Sequence, residues 1–182
     1  MKIFHPVMGI IAISALALTQ ACSTASKTPD VTSPIKDALK ASGYKDVSVS
    51  QDRDKGVVTL KGSVPASGDK AQAESIAKSL AAGQVVANEI AILPPGGEST
   101  AKAINSDLDD GIKKNLDAAL LAGSLHDQVK YAVKSGVVTL TGEVNSQAKR
   151  GEAERIAAAV PNVQQVVNKL DVKNQKATSS SD

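Results

Sequence analysis

Aromatic side chains are nearly missing: Phe4, Tyr44 and Tyr131 make up 2% of the chain, and there is no tryptophan. Any core is therefore built from Val, Leu, Ile and Ala. Cys22 is the only cysteine, which excludes an intramolecular disulfide in any compartment and leaves stability to packing. With only His5 and His126 beside it, too few soft ligands exist to converge on a transition metal, so no metal site is expected. The net charge of +2 gives no electrostatic footprint for nucleic acid. Gly-x-Ser-x-Gly, His-Glu-x-x-His, Gly-x-Gly-x-x-Gly and the phosphate-binding P-loop are all absent. The common hydrolases, zinc peptidases and nucleotide binders thus lose their support, and neither an enzyme nor a cofactor is expected.

What is present suits a globular protein, with 42% hydrophobic and 22% charged residues over 182 positions. That length accommodates one ordinary domain or two small ones. Residues 1–21 read as an address rather than a fold. A basic start, MKIFHP, precedes the apolar run Val7 to Leu18, which is too short to span a bilayer, and Thr19-Gln20-Ala21 leads into Cys22. A cysteine placed after a small residue at the end of such a run resembles the lipobox of bacterial lipoproteins, which implies acylation of Cys22. Ser23 in the next position resembles sorting to the outer membrane. Plain secretion with cleavage after Ala21 is the alternative. A reactive thiol left free at the N-terminus of an exported protein favours acylation.

The remainder is organised by a repeat. Residues 56–92 align without a gap on 136–172, at an offset of 80. Fourteen of these 37 positions are identical: Gly56 to Leu60, Gly62, Val64, Ala73, Glu74, Ile76, Ala77, Gln84, Val86 and Asn88 with their partners. Such an ungapped run implies duplication. Upstream, Ile35 to Leu39 matches Ile112 to Leu116 at an offset of 77, implying three residues gained by the second copy before its first strand.

Periodicity predicts the elements. Ile35, Ala38 and Leu39 share one helical face, as do Leu108, Ile112, Leu116, Ala119 and Leu120 in the longer counterpart. Alternation at Val47 and Val49 (Val129, Tyr131 and Val133) and at Val58, Leu60 and Val64 predicts a hairpin. Ala73, Ile76, Ala77 and Leu80 (Ala153, Ile156, Ala157 and Val160) predict a second helix, and Val86, Ile90 and Ile92 (Val166, Leu170 and Val172) a last strand. The fold class is α+β: two tandem αββαβ modules, each a three-stranded mixed sheet with two helices on one face. A flexible tether is expected over 22–33, the first module over 31–94, a linker over 95–104, the second module over 105–173 and a polar tail over 174–182.

The string G-V-V-T-L-x-G-x-V, a helix with A-E-x-I-A and a strand with V-x-N occur in both copies and resemble the BON domain. The arrangement as a whole resembles dual-BON outer-membrane lipoproteins. The resemblance implies a periplasmic binding module tied to envelope integrity and osmotic stress, in contact with anionic phospholipid and without catalysis. The KH modules of nucleic-acid-binding proteins have a similar element order, but neither repeat has their Gly-x-x-Gly clamp.

Several retained residues have structural readings. Gly62 and Gly142 lie in strands, where a helix pressing on the sheet accounts for glycine. Asn88 and Asn168 are expected to satisfy local backbone groups. Glu74 and Glu154 read as a solvated helix face, and His126 as a loop residue. A binding surface is expected on the second module. At about 100° per residue, Lys114 and Leu121 fall together opposite the apolar face of the long helix. Leu121 is the exposed apolar point, with Lys113, Lys114, Lys149 and Arg150 supplying local positive charge for an anionic membrane surface. The expected partners are the membrane itself through acylated Cys22, at the inner face of the outer membrane, then anionic phospholipid or envelope proteins. The alternative is a structural or stress-induced envelope protein with no lipid affinity beyond its anchor.

Overall fold

The structure, a computed structural model, describes residues 27–173. The expected signal sequence, Cys22, the first part of the expected tether and residues 174–182 lie outside the described residues.

The first module runs α1 (Thr32–Ala41), β1 (Ser48–Asp52), β2 (Val57–Val64), α2 (Ser67–Leu80) and β3 (Val85–Ile92). β1 pairs antiparallel with β2, and β3 parallel with β2, giving the order β1-β2-β3. The parallel return through α2 is the crossover the pattern called for. The second module repeats the plan with α3 (Glu98–Ala122), β4 (Val129–Lys134), β5 (Val137–Val144) and α4 (Gln147–Ala158). Its last strand comes in two pieces, β6 (Gln165–Asn168) and β7 (Asp171–Val172), both parallel to β5.

Each sheet buries one face under its helices. Val58, Leu60, Val64, Val86 and Ile90 pack against Val31, Ile35 and Leu39 of the α1 segment and Ala73, Ala77 and Ala81 of the α2 segment. In the second core, Val138, Leu140, Val144 and Leu170 meet Ile112, Leu116, Leu120, Ala153 and Ala157. Small alanines face the sheet, so Ile76 and Ile156 are displaced to the core's margin and are only half-buried.

Four expectations change. Val31 at the head of α1 and Ile35 and Leu39 inside it occupy the places of Ile112, Leu116 and Leu120, an offset of 81 rather than 77. The helix ends confirm it, since Tyr44 N–H bonds the Leu39 carbonyl as Leu125 N–H bonds that of Leu120. The slip is one helical turn, which leaves an apolar stripe superimposed on itself. The second copy therefore gains no three-residue insertion; instead its hairpin turn is two residues shorter. The expected linker is also shorter, because residues 98–104 already belong to α3. The end of the tether is held in place: Thr28 N–H and Oγ1 both donate to the Arg53 carbonyl, and Gln51 and Gln84 side chains donate to that of Pro29.

Finally, Gly62 and Gly142 are structural for a different reason. Both have positive φ, +121° and +115°, and a Cβ would lie 2.1 Å from the Asp46 carbonyl oxygen and 2.4 Å from that of Gln128. The chain leading into the adjacent strand, not a helix, is what requires glycine there.

Candidate functional site

α3 presents most of the expected surface. Pro94-Pro95-Gly96-Gly97 stops β3 and turns the chain, Gly97 N–H bonding the Pro94 carbonyl, and Glu98 places an acid in the first turn where the helix dipole favours it. Gly123 ends the helix, its N–H returning to the Ala119 carbonyl. Facing the sheet are Asp109, Ile112, Leu116 and Leu120. Leu108, expected in that stripe, is 44% exposed, while Asp109 is only 7% exposed. Eleven residues make about three turns, so Asp109 lies under Leu120, whereas Leu108 has drifted about 120° from it.

Burying this carboxylate has a local cause. β4 and β5 are joined by Ser135-Gly136, both with positive φ, the signature of a tight two-residue hairpin turn. Asp109 Oδ2 accepts from Ser135 N–H at 2.8 Å and Oδ1 from Gly136 N–H at 2.9 Å. The acid thus satisfies both donors of the turn.

Three of the four expected cations are engaged inside the second module, Lys113 and Lys149 by acids of their own helices and Arg150 by β6. Lys113 Nζ lies 2.8 Å from Asp110 Oδ1, and this hydrogen bond holds the ammonium above the usual lysine range and Asp110 below the usual carboxylate range. Lys149 bonds Glu152 at 2.7 Å, which lowers that carboxyl in turn. Arg150 folds back to donate from Nη2 to the Asn168 carbonyl at 3.3 Å. Lys114 and Leu121 share the solvent face of α3, as expected, and Leu121 is 67% exposed. That face is not uniformly basic. Asp117 lies between them in sequence, accepting from Tyr131 Oη at 3.1 Å and contacting His126 Nε2 at 3.1 Å. His126 sits in the α3–β4 connection.

The paired Asn and Glu residues form a clamp, repeated in each module. Asn88 Nδ2 donates to the Lys70 carbonyl at 3.1 Å and to Glu74 Oε2 at 3.0 Å, while its Oδ1 accepts from Ile90 N–H. Asn168 does the same with Arg150, Glu154 and Leu170. The reading of the asparagines holds; the glutamates, expected only to be solvated, tie α2 to β3 and α4 to β6.

Sequence reasoning missed the junction between modules. Val57, Ala87, Val137 and Val167 form a separate buried cluster on the helix-free faces of the two sheets. Its signal was the doubled valine of each GVVTL string: adjacent strand residues point to opposite faces, so two apolar neighbours leave neither face polar. Ion pairs Lys55–Asp171 and Lys169–Asp52 flank the cluster. A cavity of about 450 Å³ opens elsewhere between the two modules, where Ala91 and Leu93 share its lining with Lys102, Asn105, Lys113 and Lys134. In an adjoining crevice Lys70 is half-buried, and that burial pushes its ammonium below the usual range. Among the described residues no cluster of acids, histidines and cysteine is arranged to hold a metal ion.

Two mixed αββαβ sheets with a G-V-V-T-L strand and an Asn–Glu clamp in each define a tandem small-domain protein. The BON domain family model matches residues 27–94 and 106–174, and the chain belongs to that family. It is similar to "Osmotically-inducible protein Y" of Escherichia coli (strain K12), at 33% identity over 146 residues, 79% of this chain and 71% of the relative. Two solved chains of CdsD, a structural protein of the type III secretion system of Chlamydia trachomatis, match at 15% and 14% identity with TM-scores of 0.34 and 0.33. They cover 76% and 81% of this chain and 90% and 99% of their own. Scores that low carry no argument.

Proposed function

We propose that this chain is a lipid-anchored binding module of the periplasm, held by acylated Cys22 at the inner face of the outer membrane and supporting the envelope through weak contact with anionic phospholipid. The coarser part rests on kinship: the BON family and the osmotically inducible relative support an envelope-related, osmotic-stress protein of the periplasm, and both are non-enzymatic. The finer part rests on one observation, the large apolar side chain of Leu121 standing in solvent on the same helix face as Lys114. Lys113 on the same helix and Lys149 and Arg150 on α4 are the further positive charges this reading calls on. Contact through this surface is shallow, since the chain has no Trp, and interfacial anchoring favours Trp and Tyr. Charge then dominates, and screening limits its reach to about 8 Å at physiological salt.

A second reading has an observation of its own. Engagement of Lys113, Lys149 and Arg150 by internal partners favours modules that bind other envelope proteins, with no lipid affinity beyond the anchor. Sedimentation of the Cys22→Ser chain with anionic and neutral vesicles, at low and high salt, separates the two. The lipid reading expects binding to anionic vesicles that weakens with salt and falls in Lys113→Glu/Lys114→Glu and Leu121→Asp variants. Equal binding to both vesicle types, or no loss in either variant, overturns it. Cys22→Ser is also expected to release the protein from the membrane fraction.

A further inference from the structure

The outer edge of β3 is finished by a side chain from the other module. β3 is the edge strand of the first sheet, and the backbone groups of Val86, Asn88 and Ile90 point away from β2. Gln165 Nε2 donates to the Val86 carbonyl at 2.7 Å, and Gln165 Oε1 accepts from Asn88 N–H at 3.2 Å. The carboxamide turns one N–H donor and its oxygen acceptor to the strand, the pair a peptide unit would offer, so this side chain stands where a neighbouring strand would be. Ile90 N–H donates only the long 3.3 Å bond to Asn88 Oδ1.

The second module treats its own edge differently. β6 is four residues long and breaks before β7, and Arg150 reaches the Asn168 carbonyl. Both groups come from the same module. The repeat counterpart of Gln165 is Val85, which has no polar group to return the favour. The edge of β3 at Val86 and Asn88 is thus shut only while the second module stays in place, held by four apolar side chains, the Lys55–Asp171 and Lys169–Asp52 pairs, a Lys70–Gln164 hydrogen bond, contact of α3 with β3, and Gln165 itself.

We propose that the outer edge of β3 is a strand-docking surface closed in cis by Gln165, and that β3 of a second copy occupies it when the modules separate. β3 runs eight residues in unbroken register with β2, and an unfinished edge of that length templates another strand. The edge is self-complementary about Asn88. An antiparallel pair centred there sets Asn88 against Asn88 and Val86 against Ile90 of the copy. Both groups now met by Gln165 then regain partners, and Ile90 N–H exchanges its long bond for the copy's Val86 carbonyl.

The test uses the Cys22→Ser chain, with amide hydrogen exchange at Asn88 and sedimentation equilibrium over a range of concentrations. The parent is expected to remain monomeric with Asn88 protected. In Gln165→Ala, exchange at Asn88 is expected to rise at least about tenfold in dilute solution, with a dimer forming at higher concentration in which Asn88 and Ile90 amides are protected again. Lys55→Ser/Lys169→Ser opens the junction with Gln165 intact and is expected to act in the same direction. Unchanged exchange at Asn88 in both variants overturns the latch. A chain that opens yet stays monomeric, or a dimer that leaves Asn88 exchanging fast, overturns the docking surface.

Discussion

The first module closes its hairpin with the four residues 53–56 and begins its helix at Thr32, while the second uses the two-residue turn Ser135-Gly136 and a helix of 25 residues. The two differences are linked. A two-residue turn presents two N–H groups together, and only the longer helix brings a carboxylate, Asp109, to meet them. At the equivalent place in the first module, 81 positions earlier, stands Thr28, whose hydroxyl donates to the Arg53 carbonyl. There the turn is served by Asp52, which accepts from Lys55 N–H at 3.1 Å. Duplication has kept the sheet core and let the end of the sheet find two solutions, because turn donors need partners and the core does not specify which.

If the cores are equivalent, truncating them costs alike. Leu60 and Leu140 are both fully buried, so Leu60→Ala and Leu140→Ala are each expected to lose about 2–5 kcal/mol in denaturant titration. A difference between them larger than about 2 kcal/mol would break the equivalence.

The turn is where the modules should diverge. Asp109→Ala strands the buried Gly136 N–H and the half-buried Ser135 N–H and is expected to cost about 1–3 kcal/mol, read in the same titration. Thr28→Ala removes a hydroxyl placed against the Arg53 carbonyl and Gln84 Oε1, whose single proton serves one at a time, and is expected to cost no more than about 1 kcal/mol. Equal losses would mean that the buried acid has no special part in the second module.

Acid sharpens the comparison from another side. Burial works to raise the Glu74 carboxyl, but hydrogen bonds from Asn88 and Lys78 outweigh it and hold the group below its ordinary 4.5. A carboxyl lowered by folding contributes stability that is fully present above its unfolded value and is lost as pH falls through the folded one. The first module is therefore expected to weaken below about pH 4.5, and Glu74→Gln to flatten that acid limb, as followed by chemical denaturation at stepped pH. At position 158 the second module has Ala where the first has Lys78, so the Lys78 contribution belongs to the first alone. The smallest effect belongs to the exposed face: Leu121→Asp is expected to change stability by less than about 0.5 kcal/mol while removing vesicle binding.

Strand residues were the most legible part of the fold. In an alternating pattern a side chain's face follows from its parity, which is why Val58, Leu60, Val138 and Leu140 are buried as expected. Helices were harder. Their apolar stripe repeats every turn, so matching Ile35 to Ile112 rather than to Leu116 cost nothing in pattern, and only the common helix ends revealed the slip. The same drift over a long helix exchanged Leu108 for Asp109. Of the candidate surface, exposure of Leu121 and its alignment with Lys114 could be read from spacing, whereas the pairing of Lys113 and Lys149 with acids three residues away depended on which rotamers the neighbours adopt.

By itself the sequence determined the duplication, the αββαβ order and the inward face of each strand. All of these depend on residues near one another in the chain or on a repeat visible by inspection. Only the tertiary structure decided that Val57 and Ala87 meet Val137 and Val167, that Asp109 is buried, and that Gln165 finishes β3. Those outcomes depend on surfaces brought together from tens of residues apart, and the periodicity that records which way a side chain points carries no record of what it will touch.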